Sequence, residues 1–267
     1  ISVICHGISL LPKLPDLEPL DPLYQKYLEA IVAAAIEVEI VTDLASRMTL
    51  STDNSIYQLV PQGILYPRHW GAIQQLIQMA NQPQFIGIRV TPRGGGTACN
   101  GQSLNEGLLL DCSRYMTKII SFDPQQQTVR VQPGVVLDQL NDFLQPQGYF
   151  FAPNVAPSSR ATIGGMFATD ACGKGSRLYG KTANHVSAIH VVLADGSDAE
   201  IQPVSSDQVE ALVESNPRLG QCCQLVAHII DTHAQEISRR FKALKRYLTG
   251  YNLAHVLDKK NHTFNLI

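Results

Sequence analysis

The residues of this sequence best suited to chemistry form two glycine-rich segments about 70 residues apart. The first is Pro92-Arg93-Gly94-Gly95-Gly96-Thr97, followed closely by Asn100-Gly101. Successive glycines lose much backbone entropy on folding, so a stable domain keeps them where side chains would obstruct something. Their consecutive N–H groups would form a concave donor surface for a pyrophosphate, and Arg93 or Thr97 could add a hydrogen bond. An ordinary turn between strands is the competing interpretation.

Two common nucleotide-binding loops do not fit this segment. A Rossmann loop needs a third glycine where Cys99 stands, and the residues that follow are poor helix formers. A Walker loop matches the spacing of Gly96 and Gly101 and the position of Ser103, but Gln102 occupies the place of the required lysine. The first segment therefore predicts a phosphate-binding loop of another kind.

The second glycine-rich segment begins with Ala161-Thr162-Ile163-Gly164-Gly165-Met166. It continues with Asp170-Ala171-Cys172-Gly173-Lys174-Gly175-Ser176 and ends at Tyr179-Gly180. Two such segments, each backed by small residues, suggest one extended ligand that lies between two lobes. A dinucleotide has that shape.

These segments, in this order and followed by Thr249-Gly250-Tyr251-Asn252-Leu253, resemble FAD-linked oxidases with a flavin domain of the vanillyl-alcohol-oxidase, or PCMH, type. Within that family the sequence is similar to the D-lactate and D-2-hydroxyglutarate dehydrogenase branch. It is most similar to the N-terminal part of large bacterial proteins of the YdiJ type. The resemblance runs from about Asp43 to the last residue.

The resemblance implies an α+β fold in which two subdomains hold FAD between them. Residues 1–43 would form an N-terminal helical extension, and residues 44–267 the FAD-binding PCMH-type domain. Its first subdomain would span about 44–115 and its second about 116–267. The domain is expected to be truncated at its C-terminal end, because the family continues after this point with a Gly-Ser-Glu-Gly segment.

The resemblance also implies which residues bind FAD. The pyrophosphate would be held by Arg93, Gly94, Gly95, Gly96, Thr97, Asn100 and Gly101. The flavin and ribityl side would be lined by Thr162, Gly164, Gly165, Asp170, Gly173, Tyr179 and Gly180. Asp170 departs from the asparagine common in related dehydrogenases. Some relatives attach FAD through a histidine of the first loop, which is absent here, so we expect non-covalent FAD. The polar loop Asp53-Asn54-Ser55 would lie near the cofactor.

The implied reaction is oxidation of a D-2-hydroxy acid, D-lactate or D-2-hydroxyglutarate, by hydride transfer from the α-carbon to FAD. In relatives the substrate is held by a later cap domain, often with a metal, so the catalytic and metal residues are expected outside this chain and the chain alone should be inactive. The large relatives also carry a C-terminal iron–sulfur module. The electron acceptor stays open. The alternatives are a non-catalytic flavin- or nucleotide-binding module and an oxidase of the same fold acting on a sugar or alcohol.

Composition argues against several other partners. The net charge is −2 and the pI about 6.5, which favours neither nucleic acid nor anionic lipid. The six cysteines include no Cys-x-x-Cys pair, so zinc ribbons and iron–sulfur loops are not predicted. The apolar run 30–36 is far too short for a membrane span. We expect a cytoplasmic protein, with peripheral contact at the inner membrane face left open.

Hydrophobic periodicity predicts the elements that must position the two segments. The predicted helices are 23–36, 69–81, 135–144 and 207–246, the last interrupted at Asn216-Pro217. The predicted strands are 63–68, 85–90, 118–122, 128–131 and 190–193. The strands at 63–68 and 85–90 are expected to pair in parallel around their helix, and Asp123-Pro124 should turn a hairpin.

Overall fold

The structure, a computed structural model, describes residues 19–205, 208–241, 251–258 and 263–267. Its helices are α1 (Pro22–Ala33), α2 (Leu44–Thr49), α3 (Trp70–Ala80), α4 (Leu137–Leu144), α5 (Ile163–Ala168), α6 (Ser176–Tyr179), α7 (Gln208–Ser215), α8 (Pro217–Thr232) and α9 (Ala234–Arg240). Its strands are β1 (Val38–Val41), β2 (Gly63–Pro67), β3 (Val90–Arg93), β4 (Leu108–Asp111), β5 (Ile119–Asp123), β6 (Thr128–Val131), β7 (Ile189–Val192), β8 (Asp198–Ile201), β9 (Val204–Ser205), β10 (Leu257–Asp258) and β11 (Thr263–Phe264). Short 3₁₀ turns lie at Pro83–Phe85, Gln145–Gln147 and Thr182–His185.

The first half of the chain builds a four-stranded sheet in the order β1-β2-β4-β3. Strand β4 pairs in parallel with both β2 and β3, and β1 is an antiparallel edge. Every residue of β2 and β4 is buried, as expected for parallel strands covered on both faces. Helices α1 and α3 pack on one face around Leu65, Leu108 and Leu110. The chain leaves this sheet after Asp111.

Helix α1 belongs to this first core. Asp21 caps its N-terminus by accepting a hydrogen bond from the Leu23 amide, and Tyr24, Tyr27, Leu28 and Ile31 form its buried stripe. The described part of the predicted N-terminal extension is therefore helical only to Ala33, and residues 38–41 form a strand of the sheet. The domain boundaries expected at residues 43 and 115 stay a proposal.

The predicted strand at 85–90 is wrong. Phe85 ends a 3₁₀ turn and packs edge-on against Tyr27, and Gly87 has a φ of +106°, which no extended strand tolerates. The strand begins instead at Val90 and ends on Arg93, so the first glycine segment starts inside the sheet. The strands β2 and β3 do run parallel, but β4 lies between them, a strand that the sequence analysis missed.

The second half of the chain is built from antiparallel hairpins and helices. The predicted β5–β6 hairpin is confirmed, and α4 packs on it through Leu140 and Leu144, with Val135 just before the helix in the same cluster. Strands β7 and β8 form a second hairpin. Helix α8 starts at Pro217 after the Asn216 cap, as predicted, and buries Leu219 and Cys223 against β8 and β11. The predicted helical residues 207 and 242–246, and Thr249-Gly250 of the last motif, lie outside the described residues.

Polar side chains of α3 join the two halves. Gln74 donates to Asp198 Oδ1 at 3.1 Å, Gln78 to the Gly196 carbonyl at 3.1 Å and Asn81 to the Ala194 carbonyl at 2.8 Å. All three acceptors lie on the β7–β8 hairpin. The α+β, two-part architecture predicted from sequence is confirmed, and these contacts help to fix the glycine segments relative to one another.

Candidate functional site

The two glycine segments meet in the structure. A methyl group built on Gly94 would lie 2.2 Å from Thr162 Oγ1, and one on Gly95 would lie 2.0 Å from the Arg160 carbonyl oxygen. The Arg160 guanidinium also donates to the Gly95 carbonyl at 3.2 Å. Glycine is required at both positions, because the Thr162 side chain leaves no room for a side chain at Gly94 and the Arg160 main chain leaves none at Gly95.

The first segment presents a row of unused donors. Within the described residues, the main-chain N–H groups of Gly94, Gly95, Gly96 and Thr97 have no hydrogen-bond acceptor. Gly94, Gly95 and Thr97 are half-buried, and Gly96 is buried, with a φ of +62°. Successive unpaired N–H groups in such a turn form a concave donor surface that suits an anionic ligand.

The Arg93 side chain packs against the loop that carries these amides. The residue is buried, and its guanidinium donates to the Thr52 carbonyl at 2.8 Å and makes longer contacts to Ser103. Gly96 rests against the guanidinium, since an added methyl group there would lie 2.5 Å from Arg93 Nη2. The Arg93 side chain thus points into the protein, where Thr52 and Ser103 engage it.

The carboxylates of Asp53 and Asp111 both lie near the positive charge of Arg93. Burial opposes ionisation of Asp53, but hydrogen bonds from Ser55 and Ser103 and the nearby Arg93 hold the pKa of Asp53 below its usual value. Burial raises the pKa of Asp111 above its usual range, although Ser113 and Arg93 act against that rise. The 53–55 loop therefore contacts the first segment through the charge of Arg93, and Asp53 accepts a hydrogen bond from the Ser103 hydroxyl.

The outer end of the first segment is a turn. Gly101 adopts a φ of +76° and packs against the Tyr57 ring, and its carbonyl accepts from the Leu104 amide at 3.1 Å. The exposed Asn100 donates its amide to the Gln102 side chain. As predicted, no helix follows this loop.

The beginning of the second segment uses its amides inside the protein. Thr162 caps α5 by accepting from the Gly165 amide, while the amides of Ile163 and Gly164 donate to Val135 and Pro133 carbonyls at 2.8 and 2.9 Å. A methyl group on Gly164 would meet Pro133 at 2.6 Å. This part therefore provides close packing and leaves few donors for a ligand.

The later part of the second segment, residues 172–175, differs because its amides are not used inside the described part of the protein. Among the described residues, the amides of Cys172, Gly173, Lys174 and Gly175 have no acceptor. Gly173 packs so tightly that an added methyl group would lie 1.7 Å from the Asn154 carbonyl oxygen. This gives a second row of free donors on the same segment.

A cavity of about 410 Å³ opens beside this second row. Phe150 and Tyr179 contribute aromatic rings whose centroids are 5.6 Å apart, and Lys174 contributes a charge. Ser158 reaches the cavity from the chain just before Arg160, the residue that abuts Gly95. The volume lies in the range of small-molecule sites.

Of the predicted residues, Gly94 to Thr97 and Gly173 offer free amides, and Tyr179 lines the cavity. Arg93, Thr162, Gly164 and Gly165 contribute structure instead. Sequence reasoning missed three residues that shape the site, namely Ser103, Arg160 and Lys181. Arg160 and Lys181 directly flank predicted motif residues, and that adjacency was the available signal.

The described residues contain neither a cluster of metal-ligating side chains nor an apolar helix of membrane length. No group of three or more histidine, cysteine or acidic side chains there is arranged to hold a metal ion. No helix in that part of the chain has the length and apolar character to cross a membrane.

Comparisons with known proteins point in one direction. A family model described as "FAD binding domain" matches residues 61–202. The D-2-hydroxyglutarate dehydrogenases of Pantoea ananatis and Escherichia coli are 41% and 40% identical over 97% and 96% of this chain. The chain spans 25% of the length of either relative.

Among solved structures, an alkyldihydroxyacetonephosphate synthase matches 69% of this chain and 35% of its own with a TM-score of 0.59. At 21% identity, this match speaks to the fold alone.

Proposed function

This chain belongs to the FAD binding domain family, and from that premise we propose that it is the cofactor-holding part of a flavoenzyme that oxidises a D-2-hydroxy acid. The single observation that carries the proposal is the row of four unpaired amides at 94–97, set against the second glycine segment. FAD, when bound, would accept a hydride from the substrate.

The residues of this chain fit the two ends of FAD differently. The pyrophosphate would accept hydrogen bonds from the amides of Gly94 to Thr97, a contact in which the main chain supplies the donors and no lysine is needed. Arg93 would hold the loop, and not the phosphate, because its guanidinium is engaged with Thr52 and Ser103. Gly101 would close the loop by its turn.

The flavin end would be held by the later part of the second segment. Free amides at 172–175 suit the polar edge of the flavin, and Phe150 and Tyr179 suit its flat apolar ring system. Asp170 and Gly180 would fix the ends of this stretch. We propose non-covalent binding, since the first loop carries Thr97 and no histidine.

The substrate class rests on the relatives. Proteins named D-2-hydroxyglutarate dehydrogenase are about 40% identical to almost the whole chain, which favours a 2-hydroxy dicarboxylic acid over a sugar or alcohol. A flavin domain is shared among many oxidases, so the substrate class follows from these relatives and not from the fold. We also propose a cytoplasmic location: the five cysteines of the described residues are free thiols, which suits a reducing compartment.

The test uses the full-length protein that carries this sequence. It should purify yellow, release its flavin on acid precipitation, and bleach anaerobically with D-2-hydroxyglutarate, with L-2-hydroxyglutarate as the matched control. D-lactate, glycolate and xylobiose should bleach it more slowly. A colourless protein that ignores added FAD would refute the cofactor, and bleaching by xylobiose alone would refute the substrate class.

A further inference from the structure

Asp170 occupies an unusual backbone position at the end of α5. Its φ is +45°, in the left-handed region that asparagine, aspartate and glycine tolerate best. Its amide donates to the Phe167 carbonyl at 3.0 Å, and its carboxylate accepts from the Ala183 amide at 3.0 Å. The other carboxylate oxygen forms an ion pair with Lys181 Nζ.

The neighbouring residues complete a clasp between two short stretches of chain. The Ala171 carbonyl accepts from both the amide and the hydroxyl of Thr182, at 3.1 and 2.7 Å. Thr182 is fully buried, and the side chains of Lys181 and Asp170 are 11% and 15% exposed. The clasp therefore ties 170–171 to 181–183 in a largely water-excluded place.

Between the two sides of the clasp the chain makes an excursion through residues 172–180. This excursion carries the free amides of 172–175 and Tyr179 on the wall of the cavity. The clasp fixes both ends of the excursion, so it sets where these groups lie.

The two charged residues depend on one another. A buried ammonium needs a charged partner, and a buried carboxylate does too. An asparagine at position 170 would suit the backbone and still accept from Ala183, yet it would leave Lys181 without its counter-charge. An aliphatic residue at position 181 would leave Asp170 similarly unpaired.

We propose that Asp170 and Lys181 are a matched pair of positioning residues that hold the 172–180 excursion against the flavin. Because their charges are opposite, the pair itself adds no net charge beside the flavin. The inference rests on the proposed function, because it assigns the excursion to the flavin end of FAD. Reduction of a flavin adds negative charge, so an unpaired cation nearby should favour the reduced form and an unpaired anion should oppose it.

The test measures the midpoint potential of bound FAD in the full-length protein carrying Asp170→Asn, Lys181→Met or both. Asp170→Asn should raise the potential, Lys181→Met should lower it, and the double variant should return close to wild type. Each single variant should also bind FAD about tenfold more weakly, and the double variant should recover part of that loss. Glu236→Gln is the matched control, since Glu236 pairs with Arg239 on the exposed face of α9.

The outcomes separate the inference from the function on which it rests. If wild type binds FAD and both single variants leave the potential unchanged, or shift it in one direction, the pair is merely structural and the inference is refuted. If both single variants fail to fold, the double variant must still fold and bind FAD, and its failure would also refute the pairing. If wild type itself binds no FAD, the proposed function fails first and the inference falls with it.

Discussion

The first glycine segment and the start of the second have similar compositions and opposite uses. At 94–97 the amides are left free, and the loop is held from behind by the Arg93 guanidinium. At 163–165 the amides are all engaged, with Val135, Pro133 and the Thr162 hydroxyl. Within the described part of the second segment, free amides lie later, at 172–175.

The difference shows that glycine content alone does not identify a ligand-binding backbone. Gly94 is needed because the Thr162 side chain lies against it and Gly95 because the Arg160 main chain does, whereas Gly96 and Gly101 are needed for their positive φ. What suits the first loop to the proposed binding of a ligand is that its neighbours engage the Arg93 side chain and leave the amides of 94–97 open. Five experiments test whether the first loop and the start of the second segment differ in this way.

The largest effect is expected at the contact between the two segments. In Gly95→Ala the new methyl group would clash with the Arg160 carbonyl, so the two backbones must separate. We expect FAD binding to fall below detection, and the free energy of unfolding to fall by roughly 3 kcal/mol. Fluorescence titration with FAD and urea denaturation measure the two quantities.

Gly148→Ala is the control for this variant. Its φ is +81°, and nothing lies within 4 Å of an added methyl group. It should therefore lose only about 1 kcal/mol for the left-handed backbone and bind FAD normally. Normal FAD binding by Gly95→Ala would mean that the segments do not meet as described.

Arg93→Met comes next. Removing the guanidinium leaves the Thr52 carbonyl without its donor and leaves the buried Asp111 with Arg114 but without Arg93 as a neighbouring positive charge. The free energy of unfolding should fall by about 2–3 kcal/mol, and FAD should bind more weakly because the loop loses its support. Arg93→Lys should recover part of the stability through its charge. Lost FAD binding at unchanged stability would instead show that the guanidinium contacts the ligand.

Thr162→Val tests the second segment alone. Valine keeps the shape but removes the cap of α5, so the free energy of unfolding should fall by about 1 kcal/mol in chemical denaturation. Because the amides of 163–165 are not proposed to bind ligand, FAD affinity should change by less than about fivefold. Thr162→Ser keeps the hydroxyl and should retain most of the stability. A hundredfold loss of affinity would assign a ligand contact to this part.

The Asp53 carboxylate gives the first loop a pH dependence. Its folded pKa lies below the usual 3.8, so folding favours the ionised form. The resulting stability is fully present above about pH 4 and is lost as the pH falls through the lower folded value. Wild type should exceed Asp53→Asn in urea midpoint at pH 6, and the gap should narrow below pH 3.8. A gap that widens in acid would have the wrong sign.

The smallest effect concerns thiol labelling. Cys99 is exposed on the first loop, whereas burial raises the pKa of Cys112 to about 12. Iodoacetamide at pH 8 should modify Cys99 and spare Cys112, since the thiolate is the reacting form. Bound FAD should slow the modification of Cys99 a few-fold, and peptide mass spectrometry reports each site. Unchanged Cys99 reactivity with FAD bound would place the ligand away from this loop.

Local sequence patterns predicted many of the helices and one hairpin of the fold. Helical spacing predicted α1, α3 and α4, and the Asn216-Pro217 pair predicted the start of α8, because local periodicity and capping act over a few residues. Alternation and Asp123-Pro124 predicted the β5–β6 hairpin for the same reason. The predicted strand at 85–90 was wrong, because Phe85 packs against Tyr27 of α1 and Gly87 takes a positive φ, and a contact so distant in the chain leaves no local pattern.

The sequence by itself determined the composition and order of the two glycine segments, and with them the family and the expected cofactor. Only the tertiary structure shows which amides have no hydrogen-bond acceptor, that the Arg93 side chain points to Thr52, and that Asp170 pairs with Lys181. Hydrogen-bond satisfaction depends on partners distant in the chain, such as Thr52 for Arg93 and Pro133 for Gly164. Such partners are chosen by the packing of the whole domain, since each buried polar group must find one wherever the fold brings it.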